Sequence, residues 1–386
     1  MRILHVVLNT VGKGTYWRAL HLARHQVRRS HEVTLIATSP TARFAITETE
    51  IDGVRLVAMP DLFSGSLRSG WDLWNAMRRV GWLARHAHFD VVHAYECRPT
   101  VLLPMLFAKY FQKTAIVLDW SDWFGRGGSV EERPNRLLRT ILRPVETFFE
   151  ERFRGLADRT TVICTLLQEK ARQLGIRNET ILLLPNGAEV EKFQPLDRNT
   201  ARKAVDLPLE NLYLGYVGNI FRQDAQLLAA AFNQVHGKFP ESRLLVIGYC
   251  ALDLRTLVTS PEAVIQTGRV GEEALRNYLA ACDLFCLPLR NSNANRGRFP
   301  MKLTDYMAMG RPIVASAVGD ISKLFEEEAI GRLAADTPES FGQEIEVLLT
   351  NQPLRDQLGR HARIVAEERF DWALLTDQLL ACYQEL

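Results

Sequence analysis

Residues 1–37 read MRILHVVLNTVGKGTYWRALHLARHQVRRSHEVTLIA. Ile3–Leu8 is an apolar run broken only by His5, the pattern of a strand buried on both faces. Gly12, Lys13 and Gly14 form a glycine-bearing loop after it. Tyr16–Arg28 places apolar residues at helical spacing, and His31–Ala37 returns to strand. Strand, glycine loop, helix and strand in succession predict a parallel sheet with helices on both faces.

The alternation continues along the chain. Val54–Met59, Asp90–His93, Thr114–Leu118, Thr160–Cys164 and Thr180–Leu184 read as further strands. A second round starts at Asn211–Val217 and continues through Arg243–Ile247, Ala263–Thr267, Asp283–Pro288 and Pro312–Ser316. Helical spacing recurs at Ala225–His236, Glu272–Ala281, Met301–Met309, Ser340–Thr350 and Leu354–Phe370. The expected fold class is therefore α/β, with two Rossmann-like, doubly wound parallel-sheet domains. The join is placed near Pro185–Pro195, whose Asn186-Gly187 pair is a turn dipeptide and also a common generic turn.

A chain of 386 residues accommodates two such domains. Its net charge of +2 excludes nucleic-acid binding by overall field, so any anion must be held by a local cluster. Cys97, Cys164, Cys250, Cys282, Cys286 and Cys382 are scattered through mostly apolar runs. They read as reduced buried thiols of a cytosolic protein, against a zinc site or a disulfide scaffold. The first apolar run is too short for a signal-peptide core, and no run nears the roughly 20 apolar residues of a spanning helix. The expected location is cytoplasmic, with peripheral membrane association left open.

Ligands of open α/β sheets bind beyond the carboxyl ends of strands. The glycine loops there, at Gly12–Gly14, Gly218–Asn219 and Gly268, match neither the dinucleotide fingerprint nor the Walker loop. The stretch Arg296-Gly-Arg-Phe-Pro-Met-Lys-Leu-Thr-Asp-Tyr-Met-Ala-Met-Gly-Arg-Pro312 is more specific. A proline opens a short helix, with Lys302 in its first turn, where free N–H groups and the helix dipole favour phosphate. Arg296 and Arg298 stand just upstream. Asp305 follows Lys302 by three residues on one helical face. A cation for a diphosphate and a carboxylate for ribose hydroxyls fit that spacing; so does a plain surface ion pair between the two.

Glu131–Arg159 carries Arg133, Arg136, Arg139, Arg143, Arg152, Arg154 and Arg159 beside apolar residues at helical spacing. It reads as an arginine-rich amphipathic face for anionic lipid, or as a packed surface helix with a solvated basic side.

Several stretches, in this order, resemble retaining glycosyltransferases of the GT-B fold, family four. They are the first strand with its glycine loop, His31–Ala37, Asp90–Ala94, Ala157–Cys164, Pro185–Pro195, Tyr216–Asn219, Leu245–Gly248, Thr267–Val270, Ala281–Pro288, Arg296–Pro312 and Phe370-Asp-Trp372. The resemblance implies an acceptor-side domain at 1–188, joined by a final helix 371–386 that crosses back. It implies a nucleotide-sugar-binding domain at 189–370, facing the first across a central cleft. In this family the donor segment has two glutamates separated by seven residues. Asp305 takes the place of the second, on the ribose, and Gly297 that of the first, on the transferred sugar. A family lysine after Gly218 is missing, and Lys302 looks like its substitute, with Arg222 supplying a further charge.

The implied catalytic residues are Asp122, Lys302 and Arg222. The implied donor contacts are Gly12, Gly14, Gly218, Asn219, Arg269, Val270, Arg298, Met301, Leu303 and Asp305. Asp122, in the loop expected after Thr114–Leu118, resembles the family's sugar-facing carboxylate, with Asp119 as second choice; either also reads as a loop cap. Asp119, His93 and Lys13 are the acceptor-side expectations, although a lone strand-end histidine is commonly structural. The implied activity is metal-independent transfer of a sugar, with retention, from a UDP- or GDP-type nucleotide sugar to a glycan, lipid-linked or small acceptor in polysaccharide biosynthesis. No cofactor and no nucleic-acid partner are expected, and inner-membrane contact is expected through Arg133–Arg159. The rivals are a UDP-sugar 2-epimerase-like enzyme and a non-catalytic sugar-nucleotide-binding scaffold.

Overall fold

The computed structural model describes residues 1–62, 70–86, 88–133 and 135–386. The chain divides into two compact units, Met1–Pro185 with Trp372–Leu386, and Asn186–Asp371. The first unit runs β1 (Arg2–Thr10), α1 (Thr15–Arg28), β2 (Glu32–Thr38), β3 (Thr47–Ile51), β4 (Val54–Met59), α2 (Leu73–Leu83), β5 (Val91–Tyr95), α3 (Pro99–Phe107), β6 (Ala115–Trp120), α4 (Arg136–Arg152), β7 (Arg159–Val162), α5 (Thr165–Gln173) and β8 (Ile181–Leu183). The second runs α6 (Arg198–Ala204), β9 (Leu212–Val217), α7 (Arg222–Lys238), β10 (Ser242–Ile247), β11 (Val264–Gln266), α8 (Glu272–Ala281), β12 (Leu284–Leu287), α9 (Asn293–Arg296), α10 (Met301–Ala308), β13 (Ile313–Ser316), α11 (Asp320–Glu327), β14 (Gly331–Ala334), α12 (Pro338–Thr350) and α13 (Gln352–Arg369). The last helix, α14 (Trp372–Gln384), belongs to the first unit.

The first sheet has the order β3-β4-β2-β1-β5-β6-β7-β8 and the second β11-β10-β9-β12-β13-β14. All pairings are parallel except β3 with β4. The order reverses between β1 and β5 in one sheet and between β9 and β12 in the other. A ligand crevice opens where strand order reverses, because adjacent loops there lead to opposite faces. The two places to look are thus the loops after β1 and β5, and those after β9 and β12.

Central strands are apolar on both faces, as at Ile3, Leu4, Val6 and Val7 of β1. Two strands escaped the sequence pattern, as did the helices α2, α3, α5, α6, α9 and α11. The edge strand β3 reads Thr-Glu-Thr-Glu-Ile and is mostly exposed; its hairpin turn uses Asp52 and Gly53, both at positive φ. The other, β14, lies at an edge of the second sheet and is four residues long. β6 runs to Trp120, two residues beyond expectation.

α14 is tied to the first unit by an ion pair of Asp377 with Arg29 and by a hydrogen bond between Tyr383 Oη and His93 Nδ1 of 2.5 Å. His93 was an acceptor-side candidate. It lies inside β5, fully buried, and stacks on Tyr95, so no substrate reaches it.

α4 turns the basic stretch the other way from a packed helix with a solvated basic side. Glu146 and Glu150, on its inward face, are buried, and its apolar stripe faces out, with Leu137 72% and Ile141 57% exposed. The arginines are largely paired: Arg133 with Glu146, Arg143 with Glu131, Arg154 with Glu96 and Arg159 with Glu385. Pro134 of this stretch lies outside the described residues.

Candidate functional site

In the second unit, the reversal between β9 and β12 places a half-buried lysine beside a strand-end loop. Pro300 precedes α10, and Lys302 sits in its first turn. Lys302 Nζ donates to Tyr216 Oη at 2.6 Å and to the Asn219 carbonyl at 3.2 Å. It also stands 4.0 Å from the Tyr216 ring centre. Tyr216 Oη in turn donates to the Asn219 carbonyl. Gly218, at φ 73, turns the chain between them.

Lys302 takes part in no ion pair among the described residues. The residue is half-buried, with its ammonium against Tyr216 and Asn219. Burial pulls its pKa down to about 7, against the opposing pull of Cys250 and Asp224. Asp224 is itself buried and accepts from the Arg290 amide at 2.8 Å and from Asn295 Nδ2 at 3.3 Å. Asn295 Oδ1 accepts from Arg298, whose guanidinium also lies 4.6 Å over Phe221.

Asp305 does not pair with Lys302. Its carboxyl is pushed up to about 8, chiefly by burial, then by Glu189, with Lys192 opposing. The two side chains of α10 therefore point to different surroundings. Arg222 opens α7 and is exposed. Leu303 is fully buried, so only its main chain could face a ligand. Arg269 is exposed and lies 5.2 Å from the ring centre of Tyr249, an exposed aromatic after β10. Val270 and Met301 are half-buried. Gly297 caps α9.

In the first unit the reversal lies between β1 and β5. Gly12 and Gly14 adopt positive φ, and Gly14 packs so closely on Asn9 that a Cβ would lie 2.7 Å from its side chain. Lys13 is exposed in the same loop. Asp119, expected in a loop, is in β6 and fully buried. Both its oxygens accept from Arg18, and Oδ1 also from Thr161. Its carboxylate is saturated and removed from any substrate. Asp122 is the loop carboxylate, half-buried after β6. Sequence reasoning missed Tyr216, Asp224 and Glu96. An acidic residue right after an apolar strand was the one available signal for Glu96.

Two α/β units, with a half-buried lysine in the first turn of α10 at a strand-order reversal, have the architecture and local charge that suit a phosphate-bearing ligand. The second unit matches the family described as glycosyl transferases group 1 over residues 211–351, and the first matches the glycosyl transferase 4-like domain over 13–187. The chain belongs to the group 1 glycosyltransferases. It is similar to the phosphatidyl-myo-inositol mannosyltransferase of Mycobacterium tuberculosis, at 24% identity over 96% of this chain and 93% of that one. Sucrose-phosphate synthase from Thermosynechococcus elongatus shares its fold with a TM-score of 0.79, at 17% identity over 100% of this chain and 99% of that one. Anabaena HepE, solved with UDP-glucose, has a TM-score of 0.73 at 19% identity, covering 100% of both chains. The fold is GT-B, and the activity is glycosyl transfer from a nucleotide sugar.

Proposed function

We propose that the chain transfers a sugar with retention of configuration, holding the donor diphosphate on Lys302 and the ribose on Asp305. The observation that carries this reading is the half-buried Lys302 ammonium, hydrogen-bonded to neutral oxygens and in no ion pair among the described residues. A buried cation is expensive unless an anion joins it. The donor diphosphate is that anion, helped by the first-turn amides of α10 and by Arg222. As the bond from anomeric carbon to diphosphate breaks, its electron pair moves onto the diphosphate, and Lys302 stabilises the charge. The acceptor hydroxyl attacks from the same face and passes its proton to the departing diphosphate. With this neutralisation the transfer needs no divalent metal. Gly218, Asn219, Arg298, Met301 and the main chain of Leu303 line the diphosphate side, Arg269 and Val270 the base. In the first unit, Gly12, Lys13 and Gly14 contribute amides and charge, and Asp122 orients the acceptor. UDP or GDP is the expected nucleotide; UDP-glucose is the ligand of the HepE structure.

The acceptor is lipid-linked or a glycan, at a membrane surface. The outward apolar stripe of α4 supports this, and so does α2, where Leu73 is 62% and Met77 59% exposed. The relative acting on phosphatidyl-myo-inositol is consistent with it. No helix among the described residues is long and apolar enough to cross a membrane. The test is thermal shift with UDP-, GDP-, dTDP- and ADP-sugars. At least one should stabilise the wild type, and Lys302→Ala should lose that shift; no shift at millimolar ligand refutes the donor assignment.

A further inference from the structure

The loop after β6 is held in an unusual way. The amides of Ser121 and Asp122 both donate to Glu96 Oε1, at 2.7 and 2.9 Å, and the Ser121 hydroxyl adds a third bond at 3.0 Å. The amides of Phe124 and Gly125 donate to the two oxygens of Glu150, at 2.8 and 2.7 Å. The Arg126 amide goes to Thr147 Oγ1 at 2.8 Å. The main chain around Asp122 is thus pinned by side chains from other segments, where loop amides ordinarily meet water.

The pins are themselves fixed. Glu96 Oε2 accepts from Arg154 at 2.8 Å, and neither side chain is more than 1% exposed. Arg154 also donates to the Asp119 carbonyl and stacks 3.8 Å over the ring of Trp120. Trp120 Nε1 donates to Glu150. Gly125 is required by this closeness, since a Cβ there would lie 2.5 Å from Glu150 Oε2. Glu96 sits at φ 70, a left-handed conformation that a side chain other than glycine adopts at a cost. Such strain at the carboxyl end of β5, beside the strand-order reversal, marks a position held for something other than packing.

We infer that Glu96 is a positioning residue, fixing the loop amides of Ser121 and Asp122 so that the Asp122 carboxylate has one orientation. Glu96 touches no substrate in this scheme, and it rests on the reading that Asp122 serves the reaction. Its carboxylate works only when ionised, because the protonated form loses acceptor capacity. Burial raises Glu96 to about 7, with Arg154 opposing and Glu150 and Asp122 adding to the rise. Cys97, itself raised by burial, also interacts with Glu96. Turnover therefore falls as pH drops below about 7.

The test is UDP release from UDP-glucose by the full chain, across pH 5.5–8.5, for wild type, Glu96→Gln and Asp122→Asn, with amide exchange read on peptide 119–126. Glu96→Gln, near-isosteric, should lower kcat about 10–100-fold with donor KM unchanged. It should also flatten the acid limb of the pH profile and speed exchange at Ser121 and Asp122. Should Glu96→Gln keep the wild-type kcat, pH profile and exchange while Asp122→Asn is inactive, the positioning role is refuted and the Asp122 assignment stands. Wild-type turnover in Asp122→Asn refutes both. If UDP-glucose is not turned over, the exchange measurement alone decides: unchanged protection at Ser121 and Asp122 in Glu96→Gln refutes the inference.

Discussion

Replacing Lys302 by methionine separates a ligand-binding cation from a structural one. In the free protein the ammonium is held against its preference, as the fall of its pKa from 10.5 to about 7 records. At ~1.4 kcal/mol per unit, that fall corresponds to roughly 5 kcal/mol as an upper bound. The side chain retains some solvent and two hydrogen bonds, so about 1–2 kcal/mol of net relief is the reasonable expectation. Methionine keeps the length and the apolar stem while removing the charge. A basic group depressed in the folded state costs stability as pH falls from its unfolded value through the folded one. The gain should therefore be full at pH 6 and vanish near pH 10–11. For a unit of this size it appears as a melting temperature higher by about 2–8 °C at pH 7. Donor binding should move the other way. A charge-assisted hydrogen bond to phosphate contributes about 1.5–3 kcal/mol, so Kd should rise roughly 10–150-fold. Because a bound diphosphate raises the lysine pKa, wild-type affinity should weaken by up to tenfold per pH unit above about 7, and the variant should lack that slope. Thermal unfolding reads the first effect, and calorimetric titration with the nucleotide sugar that shifts the wild type, at pH 6.5, 7.5 and 8.5, reads the other two. A variant that loses both stability and affinity, or that binds within about twofold of wild type, refutes the reasoning.

Asp305→Asn should raise the urea midpoint at pH 8 and leave it nearly unchanged at pH 4. An acid raised to about 8 in the fold costs stability as pH climbs from its unfolded value; nucleotide-sugar binding should weaken in the same variant. His5 is pulled down to about 4 by burial between Tyr95 and Gln26. The first unit should therefore lose about 3 kcal/mol as pH falls from 6.5 to 4, and His5→Asn should flatten that limb in urea titrations. Ile141→Glu with Phe148→Glu should cut sedimentation with anionic phosphatidylglycerol vesicles about tenfold while leaving the melting temperature within about 2 °C, because both side chains are exposed.

The central strands were legible because burial on both faces writes itself as a continuous apolar run. β3 and β14 were not: the exposed Thr-Glu-Thr-Glu of β3 reads as a loop, and β14 has only four residues, whereas the edge strands β8 and β11 carry apolar residues that gave them away. The Lys302 segment was legible because a helix N-terminus with proline and lysine has local chemistry. Its partners were hidden: Tyr216 and Asn219 lie far away in sequence, and an interior tyrosine in β9 carries no mark of the lysine above it. Asp119 was misplaced for a simpler reason. An acidic residue after an apolar run reads as the first loop position, and only Arg18, a hundred residues earlier, makes its burial affordable. α4 failed in the same way, since helical periodicity fixes which residues share a face but not which face turns inward.

Lys302 differs from the buried arginines that meet carboxylates in both units, among them Arg202 with Asp283 in the second, and this separates scaffold from binding site. Beside the strand ends of the first unit, Asp119 meets Arg18, Glu96 meets Arg154 and Glu146 meets Arg98. Matched pairs of this kind add little net stability, because desolvation offsets their attraction, but they admit few alternative arrangements. They suit a frame that must hold the 121–126 loop in one shape. Lys302 has no such partner. Its neighbours are oxygens of neutral groups, and the nearest carboxylate in its field, Asp224, is already engaged by the Arg290 amide and Asn295. A fold able to match three arginines with carboxylates could have matched a lysine. Leaving it unmatched lowers stability in the free state and transfers the neutralisation to whatever anion arrives, so the same residue should limit stability and set donor affinity.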